Sequence, residues 1–337
     1  MEENKEITER LSPLMGKKIL ITGGLGFIGS NLTIHLCQQG HQVSVLDNLD
    51  SRMGGNWANL EEVMSKVHMN VQDLLDFGQV SEAVLGQDMI VNCAASTSHP
   101  SSMREPWLDL NVNVKGTLNL LEAIRRFNPR ARLIHLGTST QLGPLKYRPA
   151  DEQHPEFPTD IYSANKSTSE KYVLIYSNAY QLKASVVRLA NVYGPRAAIH
   201  SPEFTFNNYF IGLALQDKKI TIFGDGAQKR NLLFIDDVVD AILAVANCEK
   251  TIGETYFAVG DDHLAVFEIA KKIVDVFGTG RCKTIPWPKD RKSGEIGDAI
   301  LSNQKLKKDV AWSPKTTFEE GLKITQEFYL SRLNQYI

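Results

Sequence analysis

Apolar and polar positions follow two rhythms along this chain. From Lys17 to Leu189, short apolar runs alternate with longer stretches of helical spacing. Lys17 to Thr22 (KKILIT) is a compact apolar run that ends in glycines and predicts a buried strand. Phe27 to Gly40 has helical spacing and stops at a glycine, and Gln42 to Leu46 (QVSVL) is the next strand, closed by Asp47. Strand, glycine turn, helix and strand make a βαβ unit. The same criteria predict strands at 67–71, 89–94, 133–136 and 184–189, and long helices at 106–127 and 159–181. Strands that are apolar without alternation are buried on both faces, and helices between them supply the cover. The expected class is α/β, a doubly wound parallel sheet.

After Asn191 the rhythm changes. Loops lengthen, strands at 220–223 and 254–259 stand alone, and helices are expected near 236–247, 266–277 and 316–332. This pattern predicts a dinucleotide-binding domain over 16–190, to which 236–260 return. A smaller C-terminal substrate-binding lobe is expected from 191–235 and 261–337. Residues 1–15 read as a mobile or weakly helical N-terminal extension.

Composition narrows the function. The chain has 337 residues, 42% of them hydrophobic, 23% charged, and a formal net charge of −2, so it carries no basic footprint for nucleic acid or an acidic membrane. Cys37, Cys93, Cys248 and Cys282 are far apart with no C-x-x-C pair, which argues against a disulfide framework or a metal site and for a reducing compartment. The charged N-terminus lacks the apolar core of a signal peptide, and no apolar run reaches the roughly 20 residues that span a bilayer. A cytoplasmic protein is expected, without metal, nucleic-acid or membrane partners.

The chemistry is carried by two motifs. Gly24-x-Gly26-x-x-Gly29, overlapped by Gly23-x-x-Gly26-x-x-Gly29, follows a strand and opens a helix. That context suits a dinucleotide: the turn lets the backbone approach the pyrophosphate, and the helix start at Phe27 and Ile28 offers N–H groups and a positive dipole. Asp47, about 20 residues on, is placed to bind ribose hydroxyls and to repel a 2′-phosphate, favouring NAD over NADP. Asn48 can add a hydrogen bond, while Arg52 is near enough to keep NADP open. Asp73 is a candidate for the adenine amino group, with Leu74 against the ring; a turn-capping role for Asp73 is the alternative.

The second motif is Tyr162-Ser-Ala-Asn-Lys166. Residues four apart project from one helix face. A phenol near pKa 10 is a poor base at neutrality. The Lys166 ammonium and the positive ring of oxidised NAD are expected to favour the phenolate, making Tyr162 a general base while Lys166 also holds the nicotinamide ribose. Ser139, at the end of the preceding strand, is expected to hydrogen-bond the reacting oxygen.

With these motifs in place, the chain resembles the NAD-dependent sugar-nucleotide epimerase/dehydratase family of extended short-chain dehydrogenases/reductases, UDP-glucose 4-epimerase-like enzymes among them. The resemblance covers most of 17–325 and rests on Thr22-Gly-Gly-x-Gly-Phe-Ile-Gly29, Leu46-Asp-Asn48, Asn92-Cys-Ala-Ala95 and Asn113-Val-Lys-Gly-Thr117. It continues through Tyr162-Ser-x-x-Lys166, Arg188-Leu-Ala-Asn-Val-Tyr-Gly-Pro195, Phe223-Gly-Asp-Gly226 with Arg230 and Asp236-Asp237, Gly294-Glu295 and Trp312-x-Pro314. It implies a Rossmann fold, with Ala94, Ala95 and Ser96 lining the cofactor and Asn113 near it. It also implies that Asn191 and Arg230 hold the diphosphate of a nucleotide sugar, with Thr97, Ser98, Ser139 and Thr140 toward the sugar. Helices 106–127 and 160–182 resemble those that form the family's homodimer.

The departures matter too. Thr140 and Gln141 follow Ser139, where a 4,6-dehydratase of this family needs two carboxylates. Leu142-Gly143-Pro144 replaces the usual Val-Tyr-Gly, Asn231 follows Arg230 where an Asp is usual, and Arg291 or Lys292 stands where the family often has a phosphate-binding Arg. The expected activity is that of an NAD-dependent nucleotide-sugar epimerase, C4 before C2. The alternatives are a 4-dehydrogenase or 4-ketoreductase, a decarboxylase, a 4,6-dehydratase, or a silent NAD-binding protein. His99 and His135 read as loop and core residues.

Overall fold

The computed structural model describes residues 16–288 and 295–337. The extension 1–15 and the segment with Arg291, Lys292 and Gly294 lie outside the described residues. The strands are β1 (Lys18–Thr22), β2 (Gln42–Asp47), β3 (Val67–Val71), β4 (Met89–Asn92), β5 (Arg132–Thr138), β6 (Ala184–Leu189), β7 (Asn191–Tyr193), β8 (Lys219–Phe223), β9 (Lys229–Phe234), β10 (Thr255–Ala258), β11 (His263–Ala265) and β12 (Arg281–Ile285). The helices are α1 (Phe27–Gln38), α2 (Phe77–Ala83), α3 (His99–Arg104), α4 (Pro106–Leu110), α5 (Thr117–Phe127), α6 (Ile161–Tyr180), α7 (Phe206–Leu215), α8 (Ile235–Ala246), α9 (Val266–Phe277), α10 (Gln304–Val310) and α11 (Phe318–Leu330).

A seven-stranded sheet runs in the order β10-β6-β5-β4-β1-β2-β3. Each of its pairings is parallel. Ile19, Leu20 and Ile21 of β1 are fully buried, because helices cover both faces. Each such side chain contributes about 1.5–3 kcal/mol. Strand order reverses between β1 and β4, which opens a crevice at the C-terminal ends of these strands. The chain leaves the large sheet after β6, and β7 pairs with β9, which also carries β11. A separate parallel pair joins β8 and β12.

The long helix expected over 106–127 is not uniform. Pro106–Leu110 runs into a π turn over Asn111–Gly116 before α5 begins. Within that turn Asn113 is buried, donates from Nδ2 to the Ser96 carbonyl at 3.0 Å and accepts from the Ser96 N–H at 3.2 Å. Helical periodicity does not register such a turn, because it changes the spacing by a single residue. The strand expected to end at Leu136 continues to Thr138, and α3 and α7 add helices that the pattern did not predict.

Candidate active site

One cavity of about 1070 Å³ extends from the glycine turn to Phe223, Arg230 and Trp287. At its first end, Gly23 has φ +66°, and a Cβ there would lie 2.7 Å from the Ala94 backbone. A Cβ on Gly29 would overlap the Gly23 carbonyl oxygen. Both glycines are therefore fixed by backbone against backbone, and the cradle they leave is the one a side chain would fill. Helix α1 starts at Gly26 with no side-chain cap, so its first N–H groups, beside Phe27 and Ile28, are open to an anion.

Asp47 lies at the end of β2 on the cavity wall. Its Oδ2 accepts from the Leu25 N–H at 2.9 Å and its Oδ1 from the Leu49 N–H at 2.9 Å. Burial raises its pKa, and the two N–H bonds offset this in part. The Leu25 carbonyl accepts from Asn59 Nδ2 at 2.8 Å, and Asn59 Oδ1 accepts from the Tyr336 hydroxyl at 2.7 Å. The penultimate residue of the chain is thus three bonds from the carboxylate. Asn48 Nδ2 donates to Asp73 Oδ2 at 3.1 Å, while Asp73 Oδ1 caps its own turn through the Leu75 N–H at 2.9 Å. Asp73 therefore caps a turn and also lines the cavity, as does Leu74. Ala94 and Ala95 form the opposite wall. Ser96 and Asn113 are not among the lining residues; they brace one another behind it. Arg52 is held by Asp50 at 2.6 Å.

At the centre, Tyr162 and Lys166 occupy the inner face of α6, 8% and 4% exposed. Asp160 caps this helix by accepting from the Ser163 N–H at 2.8 Å. The hydroxyl bonded to the Tyr162 phenol is that of Thr138, one residue before Ser139, which lines the cavity beside it. Ending the strand by its apolar run hid Thr138, although it is the last ladder residue of β5.

Burial raises the Tyr162 pKa well above the ordinary phenol range; the Thr138 bond opposes this, and Asp109 and Asp160 add to it. The Lys166 Nζ donates to the Leu136 carbonyl at 2.6 Å. Burial lowers Lys166 itself to about 8, against the opposing pull of Glu170 and Asp109.

His99 is more than a loop residue. It lines the cavity, sets its ring edge-on to Tyr162 at 4.8 Å between centroids, and holds Asp160 Oδ2 from Nδ1 at 2.7 Å. Burial pushes the Asp160 pKa up, but His99 and Ser163 outweigh it and hold the carboxyl below its usual range. His135 is buried, with Nε2 3.4 Å from Lys166 Nζ, and burial drives its pKa far down.

Gln141 turns away from the cavity. Its Nε2 donates to Glu156 at 3.0 Å and Glu170 at 3.1 Å, within the buried cluster around Arg188. The cavity-lining positions at the end of β5 are Thr138, Ser139 and Thr140, not Thr140 and Gln141, and none is a carboxylate.

At the far end, Asn191 Nδ2 donates to the Asn231 carbonyl at 3.1 Å. Asn231 is fully buried and pins β9 to the next loop through Gly260 and Asp262, which occupies the amide completely. Arg230 bonds the Gly297 carbonyl at 2.7 Å and Glu295 at 2.9 Å. It is oriented, but its charge is already balanced. Thr97 lines the cavity, whereas Ser98 caps α3 and donates to Glu203. Phe223 and Trp287 pack at 5.6 Å between centroids and close this end. Trp287 lies in a loop, and no periodicity marks it.

The model of the NAD dependent epimerase/dehydratase family matches residues 19–260. The chain belongs to that family. A UDP-glucose 4-epimerase of Mycolicibacterium smegmatis is 32% identical over 321 residues, spanning 94% of this chain and 99% of its own. UDP-glucuronic acid decarboxylase 1 of Xenopus tropicalis is 29% identical over 341 residues, spanning 95% of this chain and 75% of its own. The crystal structure of UDP-glucose 4-epimerase from Thermotoga maritima with UDP-glucose superposes with a TM-score of 0.86 at 30% identity, covering 94% of this chain and 99% of that one. The cofactor of the family is NAD, and the cradle fits it: two backbone-crowded glycines, an uncapped helix start and a carboxylate on the cavity wall at the end of β2.

Proposed function

We propose that the chain is an NAD-dependent nucleotide-sugar epimerase that inverts C4 through a transient keto sugar. The observation that carries this reading is the end of β5. It presents Thr138, Ser139 and Thr140 to the cavity beside Tyr162 and Lys166, with hydroxyls where elimination of water would need a carboxylate pair. NAD, when bound between the glycine turn and Lys166, supplies the hydride acceptor and donor. Tyr162 takes the proton of the sugar hydroxyl, Thr138 and Ser139 hydrogen-bond the reacting oxygen, and Tyr162 returns the proton after the keto sugar turns. Asn191 and Arg230 hold the diphosphate, and residues 191–235 with 261–337 act as the substrate lobe. A decarboxylase would need a cation aimed at a sugar carboxylate. Among the described residues the cavity-lining arginines are Arg104 and Arg230, and each is paired with a carboxylate, Glu203 and Glu295 respectively.

A homodimer through the helices of 106–127 and 160–182 is part of this reading. It is supported by Trp107, 75% exposed, together with exposed Leu110, Ile175 and Tyr180 on those helices. A reducing, cytosolic setting is supported by four unpaired cysteines.

The test is purified protein with a panel of nucleotide sugars and no added cofactor, followed by NMR of the products. Interconversion of two stereoisomers without NADH accumulation, lowered by about 10²–10⁴ in Tyr162→Phe, is the expected result. Stoichiometric NADH formed with added NAD alone would make the protein a dehydrogenase on the same residues.

A further inference from the structure

Lys166 faces two ways. Its side chain lines the cavity, and on its inner side Nζ meets β5, where it donates to the Leu136 carbonyl at 2.6 Å and lies 3.4 Å from His135 Nε2. An ammonium has three N–H groups. Whether a second one is spent on His135 depends on which imidazole nitrogen carries a proton, and the contacts around the ring decide that.

The deciding residue is Thr117. Its hydroxyl donates to the Asn113 carbonyl at 2.7 Å, so toward Asn92 Nδ2, 3.4 Å away, it can only accept. The other side of that amide, Asn92 Oδ1, accepts from the Thr22 hydroxyl at 2.6 Å. Both contacts place the Asn92 NH₂ group on the side of His135, whose Nδ1 is 3.0 Å from it. Nδ1 is therefore an acceptor. Burial, with the charge of Lys166, drives the His135 pKa far down, so the ring is neutral and its one N–H is on Nε2. The Ser169 hydroxyl donates to the Lys166 carbonyl at 2.9 Å and keeps lone pairs for that N–H at 3.4 Å. The imidazole thus turns an N–H, not a lone pair, toward Lys166.

We propose that Asn92 is a positioning residue for Lys166: by fixing the tautomer of His135 it denies the ammonium an inner acceptor and leaves two of its N–H groups for a ligand in the cavity. The Leu136 carbonyl is then the single protein acceptor of Lys166 among the described residues. The same network begins beside the cradle. Thr22 precedes Gly23, and its hydroxyl also accepts from the Ala94 N–H at 3.3 Å. Thr22, Asn92 and His135 come from β1, β4 and β5, so the strands that carry the cradle also set how many donors Lys166 keeps. Packing alone calls for an apolar side chain at position 135, whereas here both ring nitrogens are engaged.

The inference rests on Lys166 holding the cofactor, and the test separates the two ideas. NAD-stripped protein carrying ¹⁵N-histidine is studied by NMR, with His135→Phe identifying the His135 signals. Nδ1 should be unprotonated and Nε2 protonated. In Asn92→Asp the new carboxylate oxygen accepts from Nδ1, which moves the ring proton and turns the Nε2 lone pair toward Lys166. The Kd for NAD, from fluorescence titration, should then rise about tenfold, as for one hydrogen bond from a charged group withdrawn from the cofactor. In a His135→Phe background the same substitution creates no lone pair and should change the Kd by less than about threefold. Equal losses in the two backgrounds would overturn the proposal, as would an unchanged Kd in Asn92→Asp or a wild-type His135 protonated on Nδ1. Lys166→Met that binds NAD as tightly as wild type would instead overturn the role of Lys166, and the proposal with it, whatever the imidazole shows. Thermal unfolding shows whether each variant keeps the fold, and the wild-type tautomer is read without Asn92→Asp.

Discussion

The glycine-turn end of the cavity and the end at Arg230 and Trp287 are built by different means. At the first, each decisive contact is made by backbone: Gly23 against Ala94, Gly29 against Gly23, and the N–H groups of Leu25 and Leu49 on the Asp47 carboxylate. At the second, side chains from distant segments meet. Thr138 comes from β5, Tyr162 from α6, Asn191 from β7, Arg230 from β9, and Trp287 and Glu295 from loops. A backbone cradle tolerates few sequences and binds what all relatives share. A wall of side chains can be exchanged one residue at a time, so relatives of nearly equal similarity carry names as different as epimerase and decarboxylase. The family follows from the first end, and the reaction has to be read from the second.

The contrast can be broken by substitutions at either end. Gly29→Ala puts a methyl group into the Gly23 carbonyl and the Gly24 Cα, which cannot move independently. Overpacking of about 3 kcal/mol should weaken NAD binding roughly 100-fold, as fluorescence titration would show. Near-normal binding would mean that the cradle is as adaptable as the far wall. Arg230→Met removes one cation at the other end and leaves Glu295 unbalanced. The KM for a nucleotide sugar should rise by roughly tenfold to a hundredfold with NAD affinity unchanged. A matching loss of NAD affinity would show that the ends are not independent.

Two smaller effects sharpen the comparison. Burial lowers Lys166 to about 8 in the NAD-free protein, so the ammonium is present below that pH and is lost above it. NAD affinity should therefore fall about threefold to tenfold between roughly pH 7 and 9, and Lys166→Met should flatten that profile. A flat profile in the wild type would mean that the charge of Lys166 does not contribute to holding the cofactor. Tyr336→Phe deletes the hydroxyl that holds Asn59, which holds Leu25, which holds Asp47. One lost hydrogen bond of about 1 kcal/mol should weaken NAD binding roughly fivefold, and Asn59→Ala should do so at least as much. Unchanged affinity in both would separate the C-terminal tail from the cradle.

Much of the architecture was legible because its causes are local. Apolar runs buried on both faces can be satisfied only between two layers of helix, so β1, β4 and β6 and the parallel sheet followed from the pattern of residues. Glycine spacing after a strand exposed the cradle, since a crowded turn leaves a mark at each position where a Cβ cannot fit. Tyr162 and Lys166 were visible because helical spacing puts residues four apart on one face.

Tertiary structure alone decided what those groups do. It gave the phenol Thr138 rather than Ser139 as partner, since the last ladder residue of a strand depends on pairing with β6, not on its own hydropathy. It turned Lys166 toward a carbonyl and buried Tyr162, which raises the phenol's pKa, because desolvation depends on everything packed around a group. It sent Gln141 inward to the Arg188 cluster and joined His99 to Asp160 across 61 residues. The sequence determined the sheet, the cradle and the helix face, whose rules act over a few residues. The protonation states and partners of the site depend on long-range packing, where no spacing along the chain records which side chains will meet.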